Sequence, residues 1–144
     1  MFKHILLATD GSGASEHAAA LAVGLARTHR ARLTALYVVD PYPYLGVGEA
    51  NPVGFQAYMA SAQQHAAAAH ARVAELCKDT DVDLQVRMAQ DVAAAQGIVQ
   101  TAQEAEADLI VVGSHGRTGI ARLMLGSVAA KVVAESSVPV LVAR

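Results

Sequence analysis

The chain has 144 residues, enough for one α/β domain with a sizeable core and short for two. Its formal net charge of -2, with 17% charged residues, leaves no basic excess to neutralise a polyphosphate backbone, so nucleic acid is not an expected partner. Hydrophobic residues reach 53%, largely through alanine, but no apolar run approaches the roughly 18 residues that cross a bilayer, and no membrane partner is expected. The opening Met1-Phe2-Lys3-His4-Ile5 runs into a short apolar segment stopped by Asp10. That segment is too short for a signal peptide's apolar region, and a cytoplasmic location is the expectation. Cys77 is the single cysteine, so no internal disulfide is possible, and its alanine-rich helical context suits packing better than redox chemistry.

In chain order, Lys3–Thr9 reads as a first strand and Ala14–His29 as a helix, with Ala18, Leu21, Ala22, Leu25 and Ala26 on the stripe expected to face the sheet. A second strand is expected over Arg32–Val39. The stretch Asp40–Pro52 follows, and its three prolines and two glycines forbid a helix until the last proline has passed. Either Tyr42 and Tyr44 in it lie over a ligand, or it is a disordered crossover. A long helix over Val53–Lys78, a strand over Asp83–Ala89, a helix over Val92–Ala105 and a strand over Leu109–Gly113 come next. A helix over Gly126–Ser136 and a strand over Val138–Ala143 complete the chain. The last two strands are near-continuous Val/Ile/Leu runs, as expected of strands buried on both sides. Alternating strands and helices predict a single α/β domain over residues 1–144: an open five-stranded parallel sheet of order 3-2-1-4-5, Rossmann-like or flavodoxin-like, with helices on both faces. In that order the loops after the first and fourth strands leave in opposite directions, and the crevice between them is the expected ligand site.

The two loops bordering that crevice are glycine-dense and polar. In Thr9-Asp10-Gly11-Ser12-Gly13, a carboxylate at a strand's C-terminal end can accept from ribose hydroxyls or a base amine; alternatively, Asp10 or Ser12 only caps the first helix. The second loop runs from Gly113 through Gly116 to Gly126-Ser127, a spacing of Gly-x2-Gly-x9-Gly-Ser. Glycines let backbone N–H groups approach an anion, and a helix start adds unpaired donors and the positive end of the dipole, which together make a phosphate cradle. Ser127 can place a hydroxyl on a terminal phosphate or its Mg²⁺, and Arg117 can offer a guanidinium. The bland alternative is a glycine-rich turn followed by a Ser127 cap. The loop is not a Walker A motif, since Gly126 stands where that motif requires lysine. Without that lysine, binding and sensing fit better than efficient hydrolysis.

The segment Gly113-Ser-His-Gly-Arg-Thr-Gly, then Leu125-Gly126-Ser127-Val128-Ala129 and Ser137-Val-Pro-Val-Leu-Val142, resembles the C-terminal signature of the universal stress proteins. The opening Ile5-Leu-Leu-Ala-Thr-Asp-Gly-Ser12, Ala18-Ala19, and Tyr37-Val-Val-Asp40 are similar to that family's N-terminal half. The glycine spacing is the specific part, because within the family it marks the ATP-binding members. The resemblance implies an adenine nucleotide ligand, ATP with Mg²⁺ or Mn²⁺, or else ADP or AMP, in a stress-response signalling protein. It puts Ala8, Thr9 and Asp10 at the adenosine end, Val38 at the adenine edge through its backbone, and Val112 and Gly113 beside the ribose. His115, Gly116 and Arg117 would approach the phosphates, while Gly126, Ser127 and Val128 would bind phosphate. It also implies a homodimer paired through the last strand, Val138 to Val142. One departure is Gln90-Asp91-Val92 before the third helix, a plain Asp cap where many members carry Gly-x-Pro.

Other chemistries are disfavoured by spacing. His65 and His70 are five apart on a helix and point to different faces, so no metal site is expected. Neither Ser12 nor Ser114 lies in a Gly-x-Ser-x-Gly elbow, against a Ser-His-Asp hydrolase. The remaining enzymatic alternatives are slow ATP hydrolysis or self-phosphorylation at Ser114 or Thr118, and the non-enzymatic one is a nucleotide-free interaction module on the same fold.

Overall fold

The computed structural model describes residues 1–41, 52–90, 92–115 and 125–144. The elements are β1 (His4–Ala8), α1 (Gly13–His29), β2 (Arg32–Val38), α2 (Pro52–Cys77), β3 (Leu84–Ala89), α3 (Ala94–Glu104), β4 (Leu109–Gly113), α4 (Ser127–Glu135) and β5 (Val140–Ala143). All five strands run parallel in the order β3-β2-β1-β4-β5, the predicted Rossmann-like sheet.

The period-2 geometry of strands divides the core into two layers. Ile5 and Leu7 of β1, with Leu33, Ala35, Leu109 and Val111, face α1 and the end of α2. Leu6, with Leu36, Ile110 and Val112, faces α3 and α4. Tyr37 and Val39 extend the first layer under Ala62, Ala66 and Ala69 of α2. Cys77 is buried in the same layer, as its packing role requires, and burial pushes its thiol pKa up.

The α1 stripe differs from the expected one. Ser15, Ala18, Ala19, Ala22, Val23 and Ala26 are buried, whereas Leu21 is exposed and Leu25 only partly covered. The helix is rolled so that its smallest side chains meet the sheet, which admits close approach and sends the bulkier leucines toward the rim. β5 also departs from expectation: Val140, Leu141 and Val142 are only half-buried because β5 is an edge strand, paired with β4 alone. At α3 the N-cap is Ala93, with no side-chain cap bond. Asp91, expected to cap there, lies outside the described residues, as do Tyr42 and Tyr44.

At the N-terminal end of the sheet a buried polar network closes the floor. His4 has Nδ1 2.9 Å from the Ala105 carbonyl and Nε2 2.7 Å from Thr34 Oγ1. Burial acts to raise the Asp108 pKa, but hydrogen bonds from the backbone N–H groups of Lys3, His4 and Asp108 itself, with His4 nearby, outweigh it and hold the carboxyl below its ordinary value.

Candidate functional site

The loop leaving β1 is held by its own side chains. Gly11 adopts φ 77°, a left-handed conformation that favours glycine, and its N–H donates to Thr9 Oγ1 at 3.3 Å. The Ser12 N–H donates to Asp10 Oδ1 at 2.8 Å, and Ser12 Oγ accepts from the Ser15 N–H. Ser12 is therefore the N-cap of α1. Asp10 stiffens the turn through one carboxylate oxygen while lining a cavity.

Beside this loop β2 outruns β1. On β2 the N–H groups of Leu33 and Val39 donate toward β3, to the carbonyls of Asp83 and Ala89. Those of the even-numbered residues point toward β1, as Arg32 does to the Lys3 carbonyl. The β1–β2 register ends at Ala8↔Leu36, and the last bond across it is from the Thr9 N–H to the Leu36 carbonyl. The Gly11 N–H, next in register for the Val38 carbonyl, turns instead to Thr9 Oγ1, and no bond joins the Val38 N–H to the Thr9 carbonyl. Both groups of Val38 thus have no ladder partner on the β1 side among the described residues. They present one donor and one acceptor to the cavity that Val38 lines.

On the other side, the described ends of the segment joining β4 to α4 are pinned together. The Ser114 N–H donates to the Ala143 carbonyl at 2.7 Å, and the Gly126 N–H donates to the Ser114 carbonyl at 2.6 Å. A Cβ on Gly126 would lie 2.9 Å from the Ser114 carbonyl oxygen and 3.1 Å from His115 Cα, so this glycine answers a close backbone approach. Gly126, and not Ser127, is the N-cap of α4, and no side chain caps it. The first intrahelical bond runs from the Ala130 N–H to the Gly126 carbonyl. The N–H groups of Ser127, Val128 and Ala129 consequently lack intrahelical acceptors, and all three residues line the same cavity. Ser114 is 6% exposed, with Oγ 2.9 Å from His115 Nδ1. Gly116, Arg117 and Thr118 lie outside the described residues.

The cavity measures about 490 Å³ and opens at the C-terminal ends of β1, β2 and β4, within the size range of small-molecule sites. It brings together ten residues singled out from the sequence: Ala8, Thr9, Asp10, Val38, Val112, Gly113, His115, Gly126, Ser127 and Val128. Sequence reasoning missed the wall contributed by α2, namely Tyr58, Ser61, Ala62 and His65, and the apolar floor of Ala94 and Ile98 from α3. The helical interval of Tyr58, Ser61/Ala62 and His65 carries a faint signal, since polar tips recur on one face of the helix that follows the proline-rich stretch of the sequence. The Tyr58 hydroxyl donates to the Asp40 carbonyl at 2.6 Å, tying α2 to the end of β2. Burial, with Asp40 and Tyr37 adding to it, raises the Tyr58 pKa and keeps the phenol a donor. Farther along α2, His70 has Nε2 buried with no hydrogen-bond partner among the described residues. Burial lowers its pKa despite the nearby carbonyls of Arg87 and Ala35. No group of three His, Cys, Asp or Glu able to hold a metal ion occurs among the described residues, and no described helix is long and apolar enough to cross a membrane.

Comparison with known proteins agrees with this architecture. A universal stress protein of Thermus aquaticus is 38% identical over 145 aligned residues, covering all of both chains. Universal stress protein UspA from Lactobacillus plantarum superposes with a TM-score of 0.77 at 31% identity, over 99% of this chain and 97% of that one. A universal stress protein crystallised in complex with cAMP superposes with a TM-score of 0.65 at 27% identity, over 99% and 97%. The sequence profile described as the Universal stress protein family matches residues 1–144, and the chain belongs to that family.

Proposed function

We propose that this chain, acting as one domain over residues 1–144, binds an adenine nucleotide in the cavity above β1 and β4. On this reading ATP is the principal ligand, ADP or AMP can occupy the same place, and the nucleotide state governs a cytoplasmic stress-signalling surface with little or no hydrolysis. The observation that carries the reading is the pair of backbone groups on Val38, without a ladder partner among the described residues, lining one cavity with the first turn of α4. A donor beside an acceptor at strand spacing complements the N1 and N6-amino edge of adenine, and a guanine edge reverses that pattern. Asp10 suits the ribose hydroxyls, and the N–H groups of Ser127, Val128 and Ala129 suit phosphate oxygens. The crystallised relative bound to cAMP supports an adenine nucleotide. Mg²⁺ or Mn²⁺ would enter on the phosphates, with the Ser127 hydroxyl as a protein ligand. Self-phosphorylation at Ser114 is not favoured, because its hydroxyl is buried against His115 and the residue does not line the cavity. Pairing of β5 edges between two copies would cover half-buried Val140, Leu141 and Val142.

The test is calorimetric titration with ATP, ADP, AMP and GTP in the presence of Mg²⁺, on the wild type and on Ser127→Asp. Ser127 is the exposed first residue of α4, where a carboxylate complements the helix dipole and leaves the fold intact. The expected result is ATP binding that exceeds GTP binding and drops at least about 100-fold in the variant, since close charge pairs are worth a few kcal/mol. Unchanged ATP affinity in Ser127→Asp refutes the reading.

A further inference from the structure

The turn that carries Asp10 is braced from outside by a residue far away in sequence. Arg72, on α2, donates from Nη1 to the Gly11 carbonyl. The same Nη1 lies 3.6 Å from Glu16 Oε1 on α1. Gly11 sits tightly under this side chain: a Cβ there would come 3.4 Å from Arg72 Nη1 and 3.5 Å from Ala69 Cβ. Inside the turn, Thr9 Oγ1 holds the Gly11 N–H and Asp10 Oδ1 holds the Ser12 N–H. Arg72 thus grips the carbonyl of the one left-handed residue in the turn, from a helix 61 positions away. Rotation of that peptide would swing the backbone that orients the Asp10 carboxylate.

We propose that Arg72 is a positioning residue for the cavity, acting through the Gly11 carbonyl to hold the Asp10 carboxylate at its place in the lining. Its ligand consequence rests on the nucleotide reading above; its conformational consequence does not. The grip belongs to the carbonyl and not to the ion pair, because both charged side chains are more than half exposed, 53% and 58%, and such pairs are worth little in water. A guanidinium bonded to a carbonyl has a charged donor, the stronger kind of hydrogen bond. The same residue links the two walls of the site, since α2 also supplies Tyr58, Ser61 and His65 to the cavity. A purely structural tie between α1 and α2 is the competing account, and it predicts lost stability without selective loosening of the turn.

The experiment uses the full chain as wild type, Arg72→Gln, Arg72→Lys, Glu16→Gln, Asp10→Asn and the Arg72→Gln/Asp10→Asn double variant. Amide hydrogen exchange without ligand is read at Ser12 and at the core residue Leu33, and ATP affinity is read by calorimetry. In Arg72→Gln, Ser12 exchange should rise about fivefold or more, as expected for local opening of a turn, with Leu33 unchanged. Arg72→Lys should restore part of the protection, and Glu16→Gln should resemble the wild type. ATP affinity should fall about tenfold in Arg72→Gln, the size of one hydrogen bond to a charged group, and the same change made on Asp10→Asn should cost nothing further. Ser12 exchange unchanged in Arg72→Gln, or equal losses of affinity with and without the Asp10 carboxylate, overturns the proposal. Should the wild type take up no adenine nucleotide, the functional reading falls while the Ser12 exchange still decides the role of Arg72.

Discussion

Replacing Gly126 by alanine adds a single methyl group at the point where the two ends of the β4–α4 connection meet. The new Cβ would stand 2.9 Å from the Ser114 carbonyl oxygen and 3.1 Å from His115 Cα, both of them backbone atoms that cannot rotate aside. Relief requires the chain segments to separate, which stretches the 2.6 Å bond from the Gly126 N–H to that same carbonyl. Overpacking of this kind costs about 1–3 kcal/mol, and a weakened buried hydrogen bond adds about 1 kcal/mol. Alanine returns about 0.5 kcal/mol through lower unfolded-state entropy. The net expectation is a loss of about 1.5–3.5 kcal/mol, or about 5–12 °C in Tm for a chain of this size. Gly24→Ala is the matched control: Gly24 lies within α1, a Cβ there meets nothing within 4 Å, and the change should gain about 0.5–1 kcal/mol. Urea denaturation of both variants, with equal m-values as a check on the comparison, measures the difference in sign. If Gly126→Ala proves as harmless as Gly24→Ala, the argument that this glycine answers a backbone approach is wrong.

Thr34→Val should cost about 1–2 kcal/mol in urea denaturation, because it removes the oxygen 2.7 Å from His4 Nε2 inside a fully buried position and leaves that nitrogen unsatisfied. Thr34→Ser, which keeps the oxygen, should lose less. His70 predicts a pH dependence. Its folded pKa lies below the ordinary 6.5, so the unfolded chain takes up the proton more readily. Its contribution to stability is present above pH 6.5 and declines as pH falls from there toward the folded pKa. Denaturation midpoints between pH 7.5 and 5.5 should fall less steeply for His70→Gln than for the wild type; an identical slope would show that the buried ring does not titrate against folding.

The sheet was readable because its strands are short branched-aliphatic runs separated by helical periodicity. Burial on both faces leaves little room for another reading of Leu109–Gly113. The orientation of α1 was not, because alanines at Ala18, Ala19, Ala22 and Ala26 define a broad face on which leucine hydropathy points the wrong way. Close approach to the sheet outweighs the burial of Leu21. The half-burial of β5 is a property of strand order, and no residue in Val140–Ala143 encodes it by itself. The glycine-rich loops identified the cavity's end of the sheet, yet Gly126 reads from sequence as a phosphate contact while its geometry first serves the meeting of two backbones. Tyr58, Ser61 and His65 left only the faint trace of a helical interval for a different reason. Which face of α2 meets the cavity is decided by the packing of Ala62, Ala66 and Ala69 on Tyr37 and Val39, a long-range contact that no local pattern reports.

The peptide groups of Val38, without ladder partners among the described residues, carry a consequence for redesign. If the proposed nucleotide reading holds, an edge read by main-chain amides is indifferent to which side chain occupies the position, so exchanging polar residues around the mouth of the cavity should alter affinity while leaving base preference intact. Changing which base is favoured would require moving the strand itself. Gly97 offers a handle for that, since a methyl group there would come 3.4 Å from the Val38 side chain and 2.9 Å from Val92, pressing on β2 from beneath.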